Sequence, residues 1–233
     1  MLRIHSLFFL LLLCVGRPLS AAEKQPLPLS EAILPRSMHA YWIYENYEWA
    51  EDHWKSLGQL REDVVAQRNI EGQTCWLIRQ QTDHRSFWQK VAEKPLEEKD
   101  ITLYWETLDE KGSHNEIAWN HLNPAPPQKL SDFELNLPYP VEKGTRYHAQ
   151  ELDWTVREVD EEIDVPAGTF SCVVYEAILN MPEVNAAYRS RIYLSVGTGV
   201  IRMQTSLQEN GKWTLISRDD LRKVSIPQIS PDS

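Results

Sequence analysis

Segments rich in apolar and β-branched residues follow one another between residues 154 and 204, separated by short polar or glycine-containing breaks. One break contains Pro166 and Gly168, and another contains Gly197 and Gly199. Proline sets φ at the first corner of a tight turn, and glycine accepts the left-handed conformation that closes it. The pattern therefore predicts antiparallel strands joined by tight turns at these two positions.

The segment over residues 170–179 has apolar residues at both parities, whereas a half-exposed strand alternates between apolar and polar positions. A strand that is apolar on both faces is covered on both faces, so we expect this strand to be central in the sheet. The apolar residues of this strand are Phe170, Cys172, Val174 and Ile178 on one face, and Val173, Tyr175, Ala177 and Leu179 on the other.

Similar strand patterns occupy most of the remaining chain. Residues 64–69 and 74–81, for example, flank a Glu-Gly turn, whereas residues 83–99 fit neither a helix nor a strand clearly. The pattern predicts one mainly β domain over residues 23–225, followed by a frayed tail over residues 226–233. We expect a single antiparallel curved sheet or half-barrel, with roughly ten strands and one or two short helices.

Two motifs in this region carry a resemblance to a known group of proteins. Val-Pro-Ala-Gly-Thr-Phe-x-Cys at residues 165–172 and Gly-x-Gly-Val-Ile-Arg at residues 197–202 resemble exported bacterial proteins of unknown function. This chain has Ser195 and Val196 where that group usually has Ala-Pro. The group is similar to the lipoprotein-carrier type of antiparallel half-barrel. The resemblance implies an exported protein with a curved sheet, and it brings no catalytic residues with it.

Residues 1–22 have the features of a secretory signal peptide. An apolar run over residues 7–15 is followed by small residues that end at Ala22. We expect cleavage after Ala22, export to the periplasm or the outside of the cell, and no membrane-spanning segment thereafter, because the run is too short to cross a bilayer as a helix. Cys14 would suit a lipoprotein, but Leu13 stands where lipid attachment requires a small side chain.

The chain is acidic, with a formal net charge of −10, and loss of residues 1–22 would remove two arginines and no acidic residue. This charge argues against nucleic acid and anionic membrane surfaces as partners. Cys75 and Cys172 both lie in predicted strands. An oxidising compartment permits a disulfide between them if their Cα atoms lie within about 7 Å, and two separate buried thiols are the alternative.

No motif in the sequence indicates a catalytic centre, a metal site or a cofactor. The histidines lack the paired spacing typical of zinc ligands, and the acidic residues between 158 and 164 lack the glycine of a calcium loop. The acidic segment therefore fits a solvated strand face. Because a catalytic triad is defined by geometry and not by sequence order, an unrecognised hydrolase stays an alternative.

Nine tryptophans are the most unusual feature of the composition. Aromatic rings fill protein cores, line apolar cavities or stack on sugars. We therefore expect a non-enzymatic exported protein that binds an apolar small molecule, a lipid or an apolar segment of a partner within the curve of its sheet. The candidate lining residues are Trp76, Trp105, Val174 and Tyr193.

The alternative is an interaction module that docks an envelope protein or a glycan through aromatic side chains. The aromatic residues near the start of the chain stand beside acidic ones, as exposed residues do. The candidate docking residues are Trp42, Trp49 and Trp54.

Overall fold

The computed structural model describes residues 33–83, 100–116, 126–182 and 185–227. These residues form twelve antiparallel strands and a short 3-10 helix, Leu130–Asp132, which confirms the mainly β fold with a single curved sheet. In chain order the strands are β1 (Tyr41–Ala50), β2 (His53–Ile70), β3 (Gln73–Thr82), β4 (Asp100–Asp109), β5 (Gly112–Asn115), β6 (Glu134–Pro138), β7 (Arg146–Ala149), β8 (Leu152–Val165), β9 (Gly168–Met181), β10 (Ala186–Ser195), β11 (Gly199–Glu209) and β12 (Lys212–Ser225).

The sheet consists of two meanders, β1 to β6 and β7 to β12, which are joined by pairing between β1 and β12. This arrangement leaves β6 and β7 as the two edges of the sheet. Side chains connect β6 to the other end of the sheet: Gln150 Nε2, next to β7, donates to Asn136 Oδ1 at 3.0 Å, and the Tyr175 hydroxyl of β9 donates to the Pro138 carbonyl at 2.8 Å. The sheet is therefore curled into a nearly closed, barrel-like shape.

The two turns singled out in the sequence lie between strands. Pro166 follows β8, and Gly168 opens β9 with a φ of +134°, which an L side chain rarely adopts. Gly197 lies between β10 and β11, and Gly199 is the first residue of β11. Gly199 has a φ of +105°, and a Cβ atom added there would lie 3.3 Å from Trp42 Nε1. The second turn thus requires glycine both for its backbone conformation and for its close contact with β1.

Burial along β9 differs between its two parts. Residues 172–177 are buried at both parities, as the apolar pattern predicts. Ile178 and Leu179, however, are 41% and 37% exposed. The reason is the register: pairing with β8 reaches Ala177, so the last part of β9 pairs with β10 alone and extends past the core.

Cys75 and Cys172 are buried free thiols, and the possible disulfide between them is not formed. They belong to separate apolar clusters, since Cys172 packs in the main core and Cys75 packs in a smaller one. Burial raises the pKa of the Cys172 thiol to about 12, with a further contribution from the charge of Glu161. The alternative of two structural thiols is the one that the structure supports.

Several predicted features lie outside the described residues. These are the signal peptide over residues 1–22, the segment over residues 84–99 and the last residues of the tail, 228–233. Within the described residues, no helix has the length and hydropathy needed to cross a membrane.

Candidate functional site

A cavity of about 230 Å³ lies inside the curl of the sheet. Residues from β2, β3 and β4 line one part of it, and residues from β10 and β11 line another. These strands are far apart in the sheet order, so the cavity exists only because the sheet curls. Its apolar lining residues are Leu34, Leu137, Ile192, Val200 and Met203.

The polar part of the cavity centres on a buried ion pair. Arg36 Nε lies 2.5 Å from Glu106 Oε2, and the two side chains are only 4% and 2% exposed. Arg36 Nη1 also lies 3.9 Å from Glu62 Oε2. A buried ion pair offsets its desolvation only when further hydrogen bonds satisfy the remaining atoms.

Such hydrogen bonds are present on both carboxylates. Ser113 Oγ donates to Glu106 Oε1 at 2.9 Å. Gln80 Nε2 donates to Glu62 Oε1 at 2.6 Å, and the Tyr104 hydroxyl lies 3.5 Å from the same oxygen. Both oxygens of Glu106 and Oε1 of Glu62 thus accept hydrogen bonds, whereas Glu62 Oε2 has the Arg36 guanidinium at 3.9 Å.

Burial and charge act in opposite directions on the groups of this cluster. Burial alone lowers the pKa of Arg36, but the charges of Glu106 and Glu62 outweigh it and hold that pKa above its usual value. Burial raises the pKa of the Tyr104 hydroxyl well above its usual value, and the charge of Glu62 raises it further. Arg36 is therefore a permanent cation, and Tyr104 is a neutral hydrogen-bond donor at physiological pH.

Arg36 reaches the cavity because the segment before β1 is bound to β2. The Val64 N–H donates to the Ala40 carbonyl at 3.0 Å, and the His39 N–H donates to the Val64 carbonyl at 3.3 Å. The Arg36 guanidinium lies 4.5 Å from the ring centroid of Trp42. This stacking and the buried Leu34 keep the segment inside the sheet.

The four residues predicted to line an apolar cavity are all buried, but none of them lines this one. Two of the four can be explained by strand geometry, because successive side chains of a strand point to opposite faces. Trp105 lies between the lining residues Tyr104 and Glu106, and Tyr193 follows the lining residue Ile192. Trp105 packs instead in the smaller apolar cluster.

Sequence reasoning missed the polar residues of the cavity. The sequence of β4 does contain an indication of a buried polar group, because Glu106 stands among apolar and aromatic neighbours in this strand. A carboxylate in such a strand is either exposed or paired, and only the tertiary structure supplies the pairing partner. Arg36 had no comparable signal, since it lies in an irregular segment without periodicity.

Of the predicted docking residues, Trp42 is in the wrong place for a surface contact. Its side chain is 1% exposed, and its indole N–H donates to the Thr198 carbonyl at 2.7 Å. Trp49 is 39% exposed at the tip of the β1–β2 hairpin. Its ring packs edge to face on Trp54, with centroids 5.3 Å apart.

A second ion cluster lies around Glu176 of β9, outside the cavity lining. Arg157 and Arg191 both bind the Glu176 carboxylate, at 2.6 Å and 2.8 Å. The carboxylate is 4% exposed, whereas the Arg157 side chain is 51% exposed. Burial alone raises the pKa of Glu176, but hydrogen bonds from the two arginines outweigh it and hold that pKa below its usual value.

The described histidines next to carboxylates show no link to a nucleophile. His114 Nε2 lies 2.8 Å from Asp109 Oδ1, and His148 Nδ1 lies 2.9 Å from Asp153 Oδ1. The neighbouring hydroxyl of Ser113 donates to Glu106 and not to a histidine. Among the residues that the structure describes, no group of three or more His, Cys, Asp or Glu side chains could hold a metal ion.

No protein-family model matches this chain, and no curated protein matches it. Two solved structures match most of this chain. One is a candidate lipoprotein from Parabacteroides distasonis, with 13% identity, a TM-score of 0.48, and coverage of 83% of this chain and 99% of that chain. The other is a candidate exported protein with a YmcC-like fold from Bacteroides fragilis, with 14% identity, a TM-score of 0.46, and coverage of 84% and 99%.

Proposed function

We propose that this chain is an exported, non-enzymatic protein that holds a small ligand in the cavity inside its sheet. The observation that supports this is the composition of the cavity, in which an apolar wall and a buried polar cluster share about 230 Å³. Ligand sites typically combine an apolar lining with a few positioned polar groups. The ligand would have an apolar body against Ile192 and Met203 and a polar end near Glu62.

Export is supported by the chain itself. Residues 1–22 have the charge, apolar run and small-residue end of a cleavable signal peptide. The motifs at residues 165–172 and 197–202 resemble those of exported bacterial proteins. A protein with this leader would meet its ligand in the cell envelope or outside the cell.

The test is native mass spectrometry of the protein purified from an exported preparation without detergent, followed by solvent extraction. We expect a reproducible extra mass that is released as a small organic molecule, on a chain that begins at Glu23. A bare chain mass in repeated preparations would contradict the ligand proposal. A chain that retains residues 1–22 would contradict cleavage after Ala22.

A pair of variants shows whether any extra mass sits in the cavity. Ile192→Trp places a large ring at the cavity wall and should abolish the extra mass. Ile178→Trp makes the same change on β9, where the side chain is 41% exposed and outside the lining, and should retain it. If both variants retained the extra mass equally, the ligand would be bound outside this cavity.

The exposed Trp49, which packs on the half-buried Trp54, supports a second candidate function, docking of an envelope protein or a glycan at the β1–β2 hairpin tip. Trp49→Ala should lower the free energy of unfolding by about 0.5–1.5 kcal/mol and leave the chain folded, because the side chain is 39% exposed and loses its packing on Trp54. The same variant should lose a partner captured by cross-linking in intact cells. Capture of the same partner by the variant would remove this candidate.

A further inference from the structure

Two carboxylates in the cavity lining share one guanidinium. Glu62 and Glu106 both lie next to Arg36, at 3.9 Å and 2.5 Å. Within the described part of the lining, this group of three side chains has two formal negative charges and one positive charge. A charge that is removed from water requires a compensating charge nearby, so this imbalance favours a ligand that brings a cation.

The two inner carboxylates are not neutralised equally. Glu106 has the guanidinium of Arg36 at 2.5 Å. Glu62 lies 3.9 Å from the same guanidinium, and its nearest donor is the uncharged amide of Gln80 at 2.6 Å. Among the residues that the structure describes, Arg36 is the cation next to both carboxylates, and Glu62 is the one with the weaker charge compensation.

The neighbouring arginines do not supply the missing charge. Arg61 and Arg79 bind Asp63, at 2.6 Å and 3.0 Å. Asp63 follows Glu62 in β2, and successive residues of a strand point to opposite faces. These two arginines therefore neutralise a carboxylate on the face of β2 that points away from the cavity.

A hydrogen-bond acceptor in the lining points to the same chemistry. The side-chain oxygen of Asn115 is buried, and it accepts no hydrogen bond from the residues that the structure describes. Asn115 also lines the cavity. An ammonium group has three donors and no acceptor, so it complements both a carboxylate and a free carbonyl oxygen.

We infer that the cavity selects small aliphatic ligands that carry a protonated amine, with the ammonium near Glu62 and the alkyl body against the apolar wall. This inference rests on the proposed ligand-binding function. The cavity holds about seven or eight non-hydrogen atoms if each takes roughly the 30 Å³ of a liquid water molecule. A six-carbon primary amine matches that size.

The test compares three probes of equal chain length by isothermal titration calorimetry at pH 7 and low salt: hexylammonium, hexanol and hexanoate. We expect hexylammonium to bind at least tenfold more tightly than hexanol, and hexanoate to bind more weakly than either. Equal binding of hexylammonium and hexanol, or tighter binding of hexanoate, would overturn the selection of amines and leave a general apolar site. Absence of binding by all three would count against the ligand-binding function itself.

Two variants test whether Glu62 is the carboxylate that selects the ammonium group. Glu62→Gln keeps the shape and an acceptor oxygen for Gln80, and should reduce the affinity for hexylammonium about tenfold while leaving hexanol unchanged. Glu158→Gln removes the same charge from a side chain that is 46% exposed on β8, and should change neither affinity. Equal loss in both variants would indicate a long-range charge effect and overturn the assignment to Glu62. If Glu62→Gln does not fold, the three probes on the natural protein still decide whether amines are selected.

Discussion

Replacement of Arg36 by Met tests whether the buried ion pair holds the cavity together. Methionine retains the aliphatic stem, so the main change is the loss of the guanidinium that lies 2.5 Å from Glu106. The Glu106 side chain is only 2% exposed, so loss of the guanidinium leaves its carboxylate far less hydrated than in the unfolded chain. Removing one partner of such a buried pair costs about 3–5 kcal/mol, because the remaining charge is left uncompensated.

The assay is urea unfolding monitored by tryptophan fluorescence, with the free energy of unfolding extrapolated to water. A second substitution, Glu106→Gln in the Arg36→Met background, should restore most of the loss, since it removes the stranded charge. Arg157→Met is the matched control: its side chain is 51% exposed and Glu176 keeps Arg191, so we expect a loss below about 1 kcal/mol. A loss below about 1 kcal/mol for Arg36→Met, or no recovery in the double variant, would refute the reasoning.

Three further predictions concern other parts of the sheet. Gly199→Ala should lower the free energy of unfolding by about 1–3 kcal/mol in urea unfolding, since alanine is strained at a φ of +105° and its Cβ would lie 3.3 Å from Trp42 Nε1. Because the pKa of Glu176 is lower in the folded than in the unfolded chain, its ionised carboxylate should add to the free energy of unfolding. This contribution is complete above about pH 4.5 and is lost as the pH falls through the pKa of the folded state. Glu176→Gln should therefore flatten this part of the acid-unfolding profile. Cys75 and Cys172 should together give two free thiols with Ellman's reagent in denaturant and react slowly in the native state, because both are buried.

Each of these three predictions has a result that would contradict it. An alanine variant as stable as the natural protein would mean that the β10–β11 turn relaxes without cost. An unchanged acid-unfolding profile would show that the pKa of Glu176 is the same in the folded and unfolded chains. Absence of free thiols in denaturant would mean that the exported protein carries the disulfide that the structure lacks.

The local sequence pattern was sufficient to predict the two glycine-containing turns and the strands next to them, but it predicted roughly ten strands where the structure has twelve. The Pro-Ala-Gly segment before Thr169 and the Gly-Thr-Gly segment before Val200 both join adjacent antiparallel strands. These predictions succeed because a turn depends on the φ preferences of two or three consecutive residues. The same local reasoning overestimated the burial of Ile178 and Leu179, whose exposure depends on where the pairing with β8 ends.

The residues that line the cavity could not be predicted from the pattern within individual strands. Large apolar residues such as Trp105 and Tyr193 suggested a lining, but their parity places them on the other face from the lining residues next to them. Which face of a strand becomes concave depends on the direction in which the whole sheet curls. That direction is a property of all twelve strands together and cannot be read from any one of them.

The positions of the two turns and the acidic charge can be read from the amino-acid sequence, because they depend on neighbouring residues and on composition alone. The pairing of Arg36 with Glu106, 70 residues further along the chain, depends on a different kind of information. The first segment must enter the curled sheet and meet β4 from inside before the two charges can touch. Only after the strands are paired and curled does an isolated arginine in an irregular segment become the centre of a buried polar site.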